Sequence, residues 1–328
     1  MMRVGIVGLG GISYVHITGY DAIPNATLVA GADVQGAAAK NAHLMTDRGL
    51  PIYHSLEEML ANEELDMIDI CTPTDTHAAI AIAAMEAGKH VLSEKPMART
   101  ADEADSILAA VKRTGKRYMT AHVVRFMKPY AYLRHLVETG ELGKPVHLML
   151  RRLSPAPSWS YENWMLTPAR SGGAPLDLSI HDFDFVASVF GNPREVSAVW
   201  RPLPEGEGAA LDHISANLLY DGFSVDVTGG FYYKEFPFGA SYTAIFENGY
   251  VEATPQGQVT KNGQPVELGV EVKNETGINI SSSSAYAEEI AYFVECVESG
   301  KPTARVLPES GRDTLRLIED VTAKARKV

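Results

Sequence analysis

The sequence predicts an α/β fold in which an N-terminal doubly wound parallel sheet is followed by a C-terminal α+β domain with a large open, mostly antiparallel sheet. Three observations lead to this prediction. Short apolar runs alternate with helical patterns up to about residue 124. Strand-like runs joined by tight turns dominate the later chain. A glycine cluster separates the first apolar run from the first helical pattern.

The N-terminal apolar runs predict buried strands, because parallel neighbours need a crossover and a helix covers the sheet between them. Ser55 and Glu58 have the spacing of a capping box for a short helix. The expected strands are 4–7, 27–32, 67–71, 90–92 and 118–124, and the expected longer helices are 12–22, 36–48, 75–87 and 100–112.

The C-terminal part combines helical spacing with hairpin signals at 220–222 and 247–249. A domain boundary is therefore expected after residue 122, with 1–122 and 123–328 as the two domains. The expected helices are 128–139, 179–190, 285–299 and 309–324, the expected strands are 194–203, 211–220, 223–232, 241–247, 249–254 and 257–272, and 274–284 is expected to be a loop.

Charge and composition exclude several classes of protein. The 328 residues carry 29 basic and 41 acidic side chains, a net charge of −12, which disfavours a nucleic-acid partner. No apolar run reaches the roughly 18 residues of a membrane span, and the first residues do not form a secretory signal. The two cysteines, Cys71 and Cys296, are expected to be reduced thiols, so a cytoplasmic location is expected.

The glycine cluster at 8–13 directly follows the first strand pattern and opens the first helix. Gly8 and Gly10 fill the first two positions of G-x-G-x-x-G, and Ser13 stands at the third. Gly8 permits a tight turn, Gly10 lets a pyrophosphate approach the backbone, and the helix N-terminus offers free N–H groups. The alternative is a purely structural turn. The expected cofactor contacts here are Gly8, Gly10, Gly11 and Ile12.

Asp33 ends the second strand pattern, 20 residues after Ser13. A carboxylate at this place binds the ribose hydroxyls of a dinucleotide and repels a 2′-phosphate. Val34 and Gln35 supply no arginine for such a phosphate. NAD is therefore expected in preference to NADP, and a loop aspartate without a ligand is the alternative.

Three further motifs carry a resemblance to a known family. Glu94-Lys95-Pro96 follows the strand at 90–92, Thr72 and Pro73 precede His77, and a glycine-rich segment at 172–184 contains Asp177 and His181. With the N-terminal glycines, these motifs resemble the glucose–fructose oxidoreductase / inositol dehydrogenase / MocA (Gfo/Idh/MocA) family over nearly the whole chain. Ala174 and Ser179 replace glycines that are usual in that family.

The resemblance implies a Rossmann domain and an NAD-dependent oxidoreductase that exchanges hydride with a secondary hydroxyl of a sugar, sugar derivative or cyclic polyol. His181 is then the general base, Asp177 binds a substrate hydroxyl or tunes His181, and Lys95 stabilises the developing alkoxide. Asp177, His181 and Asp184 share one helix face if the helix starts by Asp177. Further cofactor contacts implied are Thr72, Pro73, His77, Glu94 and Lys95.

Four other side chains are candidates for substrate contact, each with a structural alternative. Arg125 either lies near the substrate or forms an interdomain salt bridge, and Asp184 either binds substrate or supports the helix and His181. Trp159 and Trp164, with Tyr161 between them, form either a wall for a sugar ring or a packed interface. No metal site is expected from His181, Asp182 and Asp184.

Two other functions remain open: an NAD-using glycosidase with no net redox change, and a non-catalytic NAD-binding sensor. The last helix is able to pack back on the first domain, as it does in the family the sequence resembles. The apolar and aromatic residues of the open sheet indicate a homodimer or homotetramer. The aromatic residues in question are Phe231, Tyr232, Tyr233, Phe236 and Phe238.

Overall fold

The structure is a computed structural model that describes residues 1–202, 211–269 and 283–328. The chain divides into two compact units, Met1–Val123 with Glu271–Arg312 and Val124–Val270 with Asp313–Val328. Residues 283–312, which the sequence assigns to the second domain, thus belong to the first unit. The assignment of separate functions to two domains stays a prediction.

The elements are numbered in chain order. The strands are β1 Met2–Val7, β2 Ala26–Ala32, β3 Ile52–Tyr53, β4 Met67–Ile70, β5 His90–Glu94, β6 Tyr118–Ala121, β7 Pro145–Pro155, β8 Glu195–Arg201, β9 Asp212–Leu219, β10 Ser224–Tyr232, β11 Gly239–Phe246, β12 Gly249–Ala253, β13 Val259–Lys261, β14 Gln264–Pro265 and β15 Arg326–Lys327. The α-helices are α1 Ser13–Tyr20, α2 Ala42–Thr46, α3 Leu56–Asn62, α4 His77–Glu86, α5 Ala101–Thr114, α6 Lys128–Thr139, α7 Pro168–Ser171, α8 Gly173–Asp177, α9 Ile180–Phe190, α10 Ser283–Ser299 and α11 Pro308–Lys324.

The first unit contains a six-stranded sheet in the order β3-β2-β1-β4-β5-β6, and all its strand pairs are parallel. This confirms the doubly wound prediction. The strand order reverses between β1 and β4, and ligands of such sheets bind beyond the carboxyl ends of the strands at this switch point. The glycine cluster follows β1, so the fold delivers it to that position. The helix α10 packs against α1 in the same unit.

Local signals account for several helix ends. The Ser55 hydroxyl accepts from the N–H of Glu58 at the start of α3, and the Glu58 carboxylate accepts from the N–H of His54. The Thr100 hydroxyl accepts from the N–H of Glu103 at the start of α5. Residue Gly115 ends α5 in the left-handed region, with φ of +67°. These caps confirm the sequence assignments.

The long helix expected at 36–48 is wrong. The structure has a 3₁₀ turn at Gly36–Ala38, an extended residue at Ala39 and then the short helix α2. The N–H of Asn41 donates to the carbonyl oxygen of Leu9 at 2.9 Å. The helix is therefore interrupted where the backbone forms a hydrogen bond to the glycine loop.

The second unit contains a nine-stranded sheet in the order β14-β13-β12-β11-β7-β10-β9-β8-β15. Among its described pairs, only β7 with β10 and β8 with β15 are parallel, which confirms the mostly antiparallel prediction. Helices α8 and α9 pack against β9, β10 and β7. Phe231 is buried there with Ala174 and Leu178. Its inclusion among the aromatic residues of the open sheet face was therefore wrong, whereas Tyr233 is exposed.

The central strand β7 was missed by the sequence analysis. Buried and exposed positions alternate from Leu148 to Arg152, but the buried position at 152 is an arginine. A buried charge in a strand does not give a period-two hydrophobic signal. The strand expected at 257–272 reduces to β13 and β14, and its last residues lie outside the described chain, as do residue 203 and most of the loop expected at 274–284.

None of the described helices combines the length and apolar character needed to cross a bilayer.

Candidate active site

The glycine loop after β1 is shaped by one glycine and left open at another. Gly8 has a φ of +93°, and a Cβ there would lie 2.6 Å from the carbonyl oxygen of Cys71. The backbones of two neighbouring loops therefore meet at Gly8, and only glycine fits. A Cβ at Gly10 would meet no described atom within 4 Å, and its φ is not positive. Packing within the protein therefore does not require glycine at position 10. Close approach of a ligand to the backbone would require it.

Asn41 holds this loop and was missed by the sequence analysis. Its side-chain amide donates to the carbonyl oxygen of Gly10 at 2.5 Å and to the Ser13 hydroxyl at 3.1 Å. The Ser13 hydroxyl itself donates to the Gly10 carbonyl at 2.8 Å. Serine at the third motif position thus ties the loop to α1 through a partly buried hydrogen bond. The only sequence signal for this role was an asparagine in a polar stretch, and asparagine is also common in simple turns.

Asp33 lies at the carboxyl end of β2 and bonds to the same loop. Its Oδ2 accepts from the N–H of Leu9 at 2.8 Å, and its Oδ1 accepts from the N–H of Gln35 at 2.8 Å. Each carboxylate oxygen can accept a second hydrogen bond. The carboxylate is therefore fixed beside the glycine loop with acceptor capacity left for ribose hydroxyls.

His77 joins the loops that follow β4 and β5. Its Nδ1 lies 2.7 Å from the carbonyl oxygen of Pro96, and its Nε2 lies 2.9 Å from that of Thr72. Burial lowers the pKa of His77, although both carbonyl contacts act in the opposite direction. The peptide bond between Lys95 and Pro96 is cis. Thr72, Pro73, His77 and Lys95 thus lie together at the carboxyl edge of the parallel sheet.

Glu94 is buried at the end of β5 and belongs to a polar cluster below these loops. Its Oε2 accepts from the backbone N–H of Lys95 at 2.9 Å, and its Oε1 lies 3.0 Å from Nε2 of His16. His16 also contacts Asp69, and Tyr20 donates to Asp69 at 2.9 Å. The structure gives Glu94 two protein partners, and its contact with the cofactor stays a prediction.

His16, Asp69 and Cys71 have ligand atoms within 4.8 Å of one another, which is the spacing of a metal site. Both ring nitrogens of His16 already face carboxylates, of Asp69 and Glu94. Burial raises the pKa of Cys71 to about 12, so its sulfur stays a thiol at neutral pH. Hydrogen bonding therefore accounts for this cluster without a metal ion.

The second unit places Asp177 and His181 on two successive helices. Asp177 is the last residue of α8, and His181 is the second residue of α9. The helix that carries His181 does not start by Asp177, so the condition for a helix face shared by Asp177, His181 and Asp184 is not met. The break falls at Leu178 and Ser179. The Ser179 side chain packs tightly against Gly229, and a Cβ added at Gly229 would collide with the Ser179 hydroxyl. Asp177 is buried and His181 is partly exposed.

Arg125 and Asp184 lie together in the second unit. The guanidinium donates from Nε at 2.8 Å and from a terminal nitrogen at 2.6 Å to the two oxygens of the carboxylate. The Thr314 hydroxyl donates to the same carboxylate at 3.1 Å. This is the salt-bridge alternative for Arg125, formed within one unit and not between domains. Asp184 also fits its alternative role as support for α9.

Asp182 has a similar arrangement that the sequence analysis missed. Arg152 of β7 donates to both its oxygens at 2.9 Å and to the Tyr130 hydroxyl at 3.0 Å. All three side chains are buried. Two bidentate arginine–aspartate pairs thus fix the helix that carries His181, and such pairs set orientation as well as distance.

Asp212 positions the start of α8. Its Oδ2 accepts from the N–H of Ala174, and its Oδ1 accepts from the Trp200 indole at 2.9 Å. Gly173 has a φ of +71°, and a Cβ there would collide with the Asp212 carboxylate. Burial raises the pKa of Asp212 to about 6. Glycine at 173 therefore allows the backbone to lie close to the Asp212 carboxylate at the start of α8, the helix that ends at Asp177.

The aromatic segment before α7 has unusual backbone geometry. Glu162 and Asn163 have positive φ values of 50° and 51° within the 3₁₀ segment Tyr161–Leu166. Trp159 is 48% exposed, and Trp164 is partly buried. Contact of Trp159 and Trp164 with a substrate stays a prediction.

These features define a class of protein in which a dinucleotide-binding Rossmann unit is combined with an α+β unit. Residues 2–122 match the oxidoreductase family with an NAD-binding Rossmann fold, GFO/IDH/MocA, and residues 130–252 match the GFO/IDH/MocA C-terminal domain. The chain belongs to this family.

Similar proteins include two curated relatives. The myo-inositol 2-dehydrogenase of Thermotoga maritima is 31% identical over 196 residues, which is 59% of this chain and 56% of that protein. The inositol 2-dehydrogenase of Rhizobium meliloti is 28% identical over 100% of this chain and 97% of that protein. The chain spans less than three fifths of the length of the first two curated relatives that it matches, 57% and 56%.

A solved oxidoreductase from Agrobacterium radiobacter, in complex with NAD⁺, L-tartaric acid and magnesium, has a TM-score of 0.83 to this structure. It is 15% identical, and the match covers 99% of this chain and 96% of that one. This similarity shows the shared fold.

Proposed function

We propose that this protein is an NAD-dependent dehydrogenase that transfers a hydride between nicotinamide and a secondary hydroxyl or ketone of a sugar, sugar derivative or cyclic polyol. The observation that carries the proposal is the open backbone at Gly10, set between the start of α1 and the fixed carboxylate of Asp33. The inositol dehydrogenases among the relatives support the substrate class.

Asp33 favours NAD over NADP. Its carboxylate is held beside the glycine loop by the N–H groups of Leu9 and Gln35. A 2′-phosphate would bring a second negative charge to this position, and neither Val34 nor Gln35 offers a positive one. The proposed contacts to the dinucleotide in this region are Gly8, Gly10, Gly11, Ile12 and Asp33.

The nicotinamide end is assigned to the loops after β4 and β5. We place Thr72, Pro73 and Lys95 at the cofactor itself. His77 and Glu94 support it through their hydrogen bonds: His77 contacts the carbonyl oxygens of Pro96 and Thr72, and Glu94 accepts from the N–H of Lys95. When bound, the nicotinamide accepts or supplies the hydride.

We assign proton transfer and stabilisation of the developing charge to side chains of this protein. His181 accepts the hydroxyl proton as the hydride leaves, because an imidazole titrates near neutral pH. The ammonium of Lys95 stabilises the alkoxide that forms during transfer. Asp177 binds a substrate hydroxyl or holds the tautomer of His181. Arg152 and Asp182 fix α9, and so they fix the orientation of His181.

The experiment is a screen for reduced nicotinamide with inositols, hexoses, uronic acids and amino sugars, in the presence of NAD or NADP. We expect NADH to form with at least one compound. NAD binding without turnover of any compound would support the sensor, and cleavage of a nitrophenyl glycoside without net NADH would support the glycosidase. Either result would overturn the proposal.

We further propose a homo-oligomer formed through the solvent-facing side of the nine-stranded sheet. Large apolar side chains are exposed on β7, β9, β11 and β12, among them Met149, Leu219, Ile245 and Tyr250. Size-exclusion chromatography with light scattering tests this proposal. A single species at the monomer mass of 35.6 kDa would contradict it.

A further inference from the structure

His16 is a fully buried imidazole with a carboxylate at each ring nitrogen. Its Nδ1 lies 2.9 Å from Oδ2 of Asp69, and its Nε2 lies 3.0 Å from Oε1 of Glu94. Ionised carboxylates only accept hydrogen bonds, so both ring nitrogens must donate. This geometry requires the imidazolium form. The cation partly neutralises two buried carboxylates, which would otherwise repel each other.

The direction of the pKa shifts agrees with this geometry. Burial by itself lowers the pKa of His16 and is the largest single cause, but the charge and hydrogen bond of Asp69, together with the contributions of Cys71, outweigh it, and the net pKa is raised well above the ordinary value. For Glu94, burial raises the pKa, but the hydrogen bond and charge of His16, together with the charge and backbone hydrogen bond of Lys95, outweigh it, so that the net pKa is lowered. The pair is therefore ionised at neutral pH.

The Glu94 carboxylate links His16 to the backbone of Lys95. One carboxylate oxygen faces His16, and the other accepts from the backbone N–H of Lys95 at 2.9 Å. On the other side of Lys95, the carbonyl of Pro96 is held by His77 at 2.7 Å. The residue before Lys95 and the residue after it are thus each bound to a buried histidine.

We propose that His16 is a positioning residue for the hydride-transfer reaction, which acts through Glu94 to hold Lys95 in its reactive placement. The inference rests on the proposed function of Lys95. Its physical basis is that a charge-assisted hydrogen bond from the imidazolium fixes the Glu94 carboxylate, and this carboxylate fixes the backbone N–H of Lys95. His16 itself does not touch the reacting atoms.

Two substitutions of His16 separate this role from general stability. Asn places an amide nitrogen near the position of Nδ1, so His16→Asn keeps a donor to Asp69 and loses the one to Glu94. Gln places its amide nitrogen near Nε2, so His16→Gln keeps a donor to Glu94 and loses the one to Asp69. Each variant removes one buried hydrogen bond and the cationic charge, so the two are matched.

We expect kcat to fall about 10–100-fold in His16→Asn, the range produced by a misplacement of roughly 1 Å. His16→Gln should retain most of kcat, while the Kd for NAD stays near the wild-type value in both variants. Equal losses of kcat in both variants, or losses that follow the thermal midpoint alone, would overturn the proposal.

A second readout needs no substrate: the pH-dependent rate at which acetic anhydride acetylates Lys95 in the full-length protein, followed by mass spectrometry. The Lys95 rate profile should change in His16→Asn and stay near wild type in His16→Gln. An unchanged profile in both variants would refute the positioning role, even if the dehydrogenase activity were established. A changed profile with no turnover of any polyol would instead count against the proposed function alone.

If His16→Asn does not fold, Glu94→Gln tests the same link from the other side. An amide has only one acceptor oxygen, so Gln can accept either from His16 or from the N–H of Lys95, but not from both, and the link between them is broken. The same change in the Lys95 profile is expected, and an unchanged profile would contradict the proposal.

Discussion

Arg125 and Asp184 form a buried, two-point ion pair, with both guanidinium-to-carboxylate distances below 3 Å (2.8 and 2.6 Å). Both side chains are buried, and Thr314 donates a third hydrogen bond to the carboxylate. The pair fixes α9 to the 3₁₀ segment Val123–Phe126 at the start of the second unit. A charged residue in a sequence motif can therefore serve the scaffold of a site instead of the ligand.

Removing one partner of this pair should destabilise the protein strongly. Arg125→Ala leaves the Asp184 carboxylate buried without its cation, and such changes cost about 3–5 kcal/mol. Chemical denaturation of the variant measures the loss of unfolding free energy. Replacement of both residues, in Arg125→Met with Asp184→Leu, should cost less than the single change. A single variant as stable as wild type would contradict the assignment to the scaffold.

Two glycines of the first loop should respond in opposite ways to alanine. Gly8→Ala forces a Cβ to within 2.6 Å of the Cys71 carbonyl at a φ of +93°, so it should lower the thermal midpoint markedly. Gly10→Ala meets no described neighbour, so the free protein should be as stable as wild type or gain up to about 1 kcal/mol.

Calorimetric titration with NAD completes this comparison. Gly10→Ala should weaken NAD binding, because the new methyl group occupies the space that the pyrophosphate needs. Unchanged affinity for NAD in this variant would show that the cofactor does not approach the loop at Gly10.

Asp33→Asn should alter the choice of cofactor. The variant removes the negative charge and keeps the size of the side chain. The ratio of the NADP Kd to the NAD Kd should fall by about tenfold or more, which corresponds to at least about 1.4 kcal/mol. Fluorescence titration with both dinucleotides measures this ratio. A constant ratio would mean that Asp33 serves only the loop N–H groups.

Asp212 should make stability depend on pH in the acidic range. Its pKa is raised from 3.8 to about 6 in the folded protein, so the folded state binds the proton more tightly than the unfolded state. The contribution of this group is therefore fully present below about pH 4 and is lost as the pH rises to about 6. A shift of this size corresponds to about 3 kcal/mol.

The control for this prediction is Asp212→Asn, which cannot titrate. Unfolding free energies of the two proteins, measured from pH 4 to pH 7, should show wild type losing stability relative to the variant up to about pH 6. Above that pH, the difference should be constant. Parallel curves over the whole range would contradict the raised pKa.

Much of the first unit was predictable, because its signals are local. Ser55, Thr100 and Gly115 mark helix ends through hydrogen bonds or backbone angles that involve near neighbours in sequence. Gly8 and Asp33 were found because motif spacing fixes both the strand end and the turn. The same local rules failed at 36–48, where Asn41 bonds to a loop about 30 residues earlier.

The parts of the site that were missed depend on partners distant in sequence. Asp182 and Arg152 are 30 residues apart, and His16 and Glu94 are 78 residues apart. Nothing in the local pattern of such a residue distinguishes a buried ion pair from an exposed charge. At the break between Asp177 and His181, Ser179 likewise contacts a residue distant in sequence, Gly229 of β10.

Transfer of deuterium tests the central claim most directly. A polyol that passes the screen is prepared with deuterium on the carbon that bears the reacting hydroxyl, and the nicotinamide product is analysed by mass spectrometry. We expect one deuterium in the reduced cofactor for each ketone formed. A ketone formed with an unlabelled cofactor, or deuterium found only in water, would contradict direct hydride transfer to the nicotinamide.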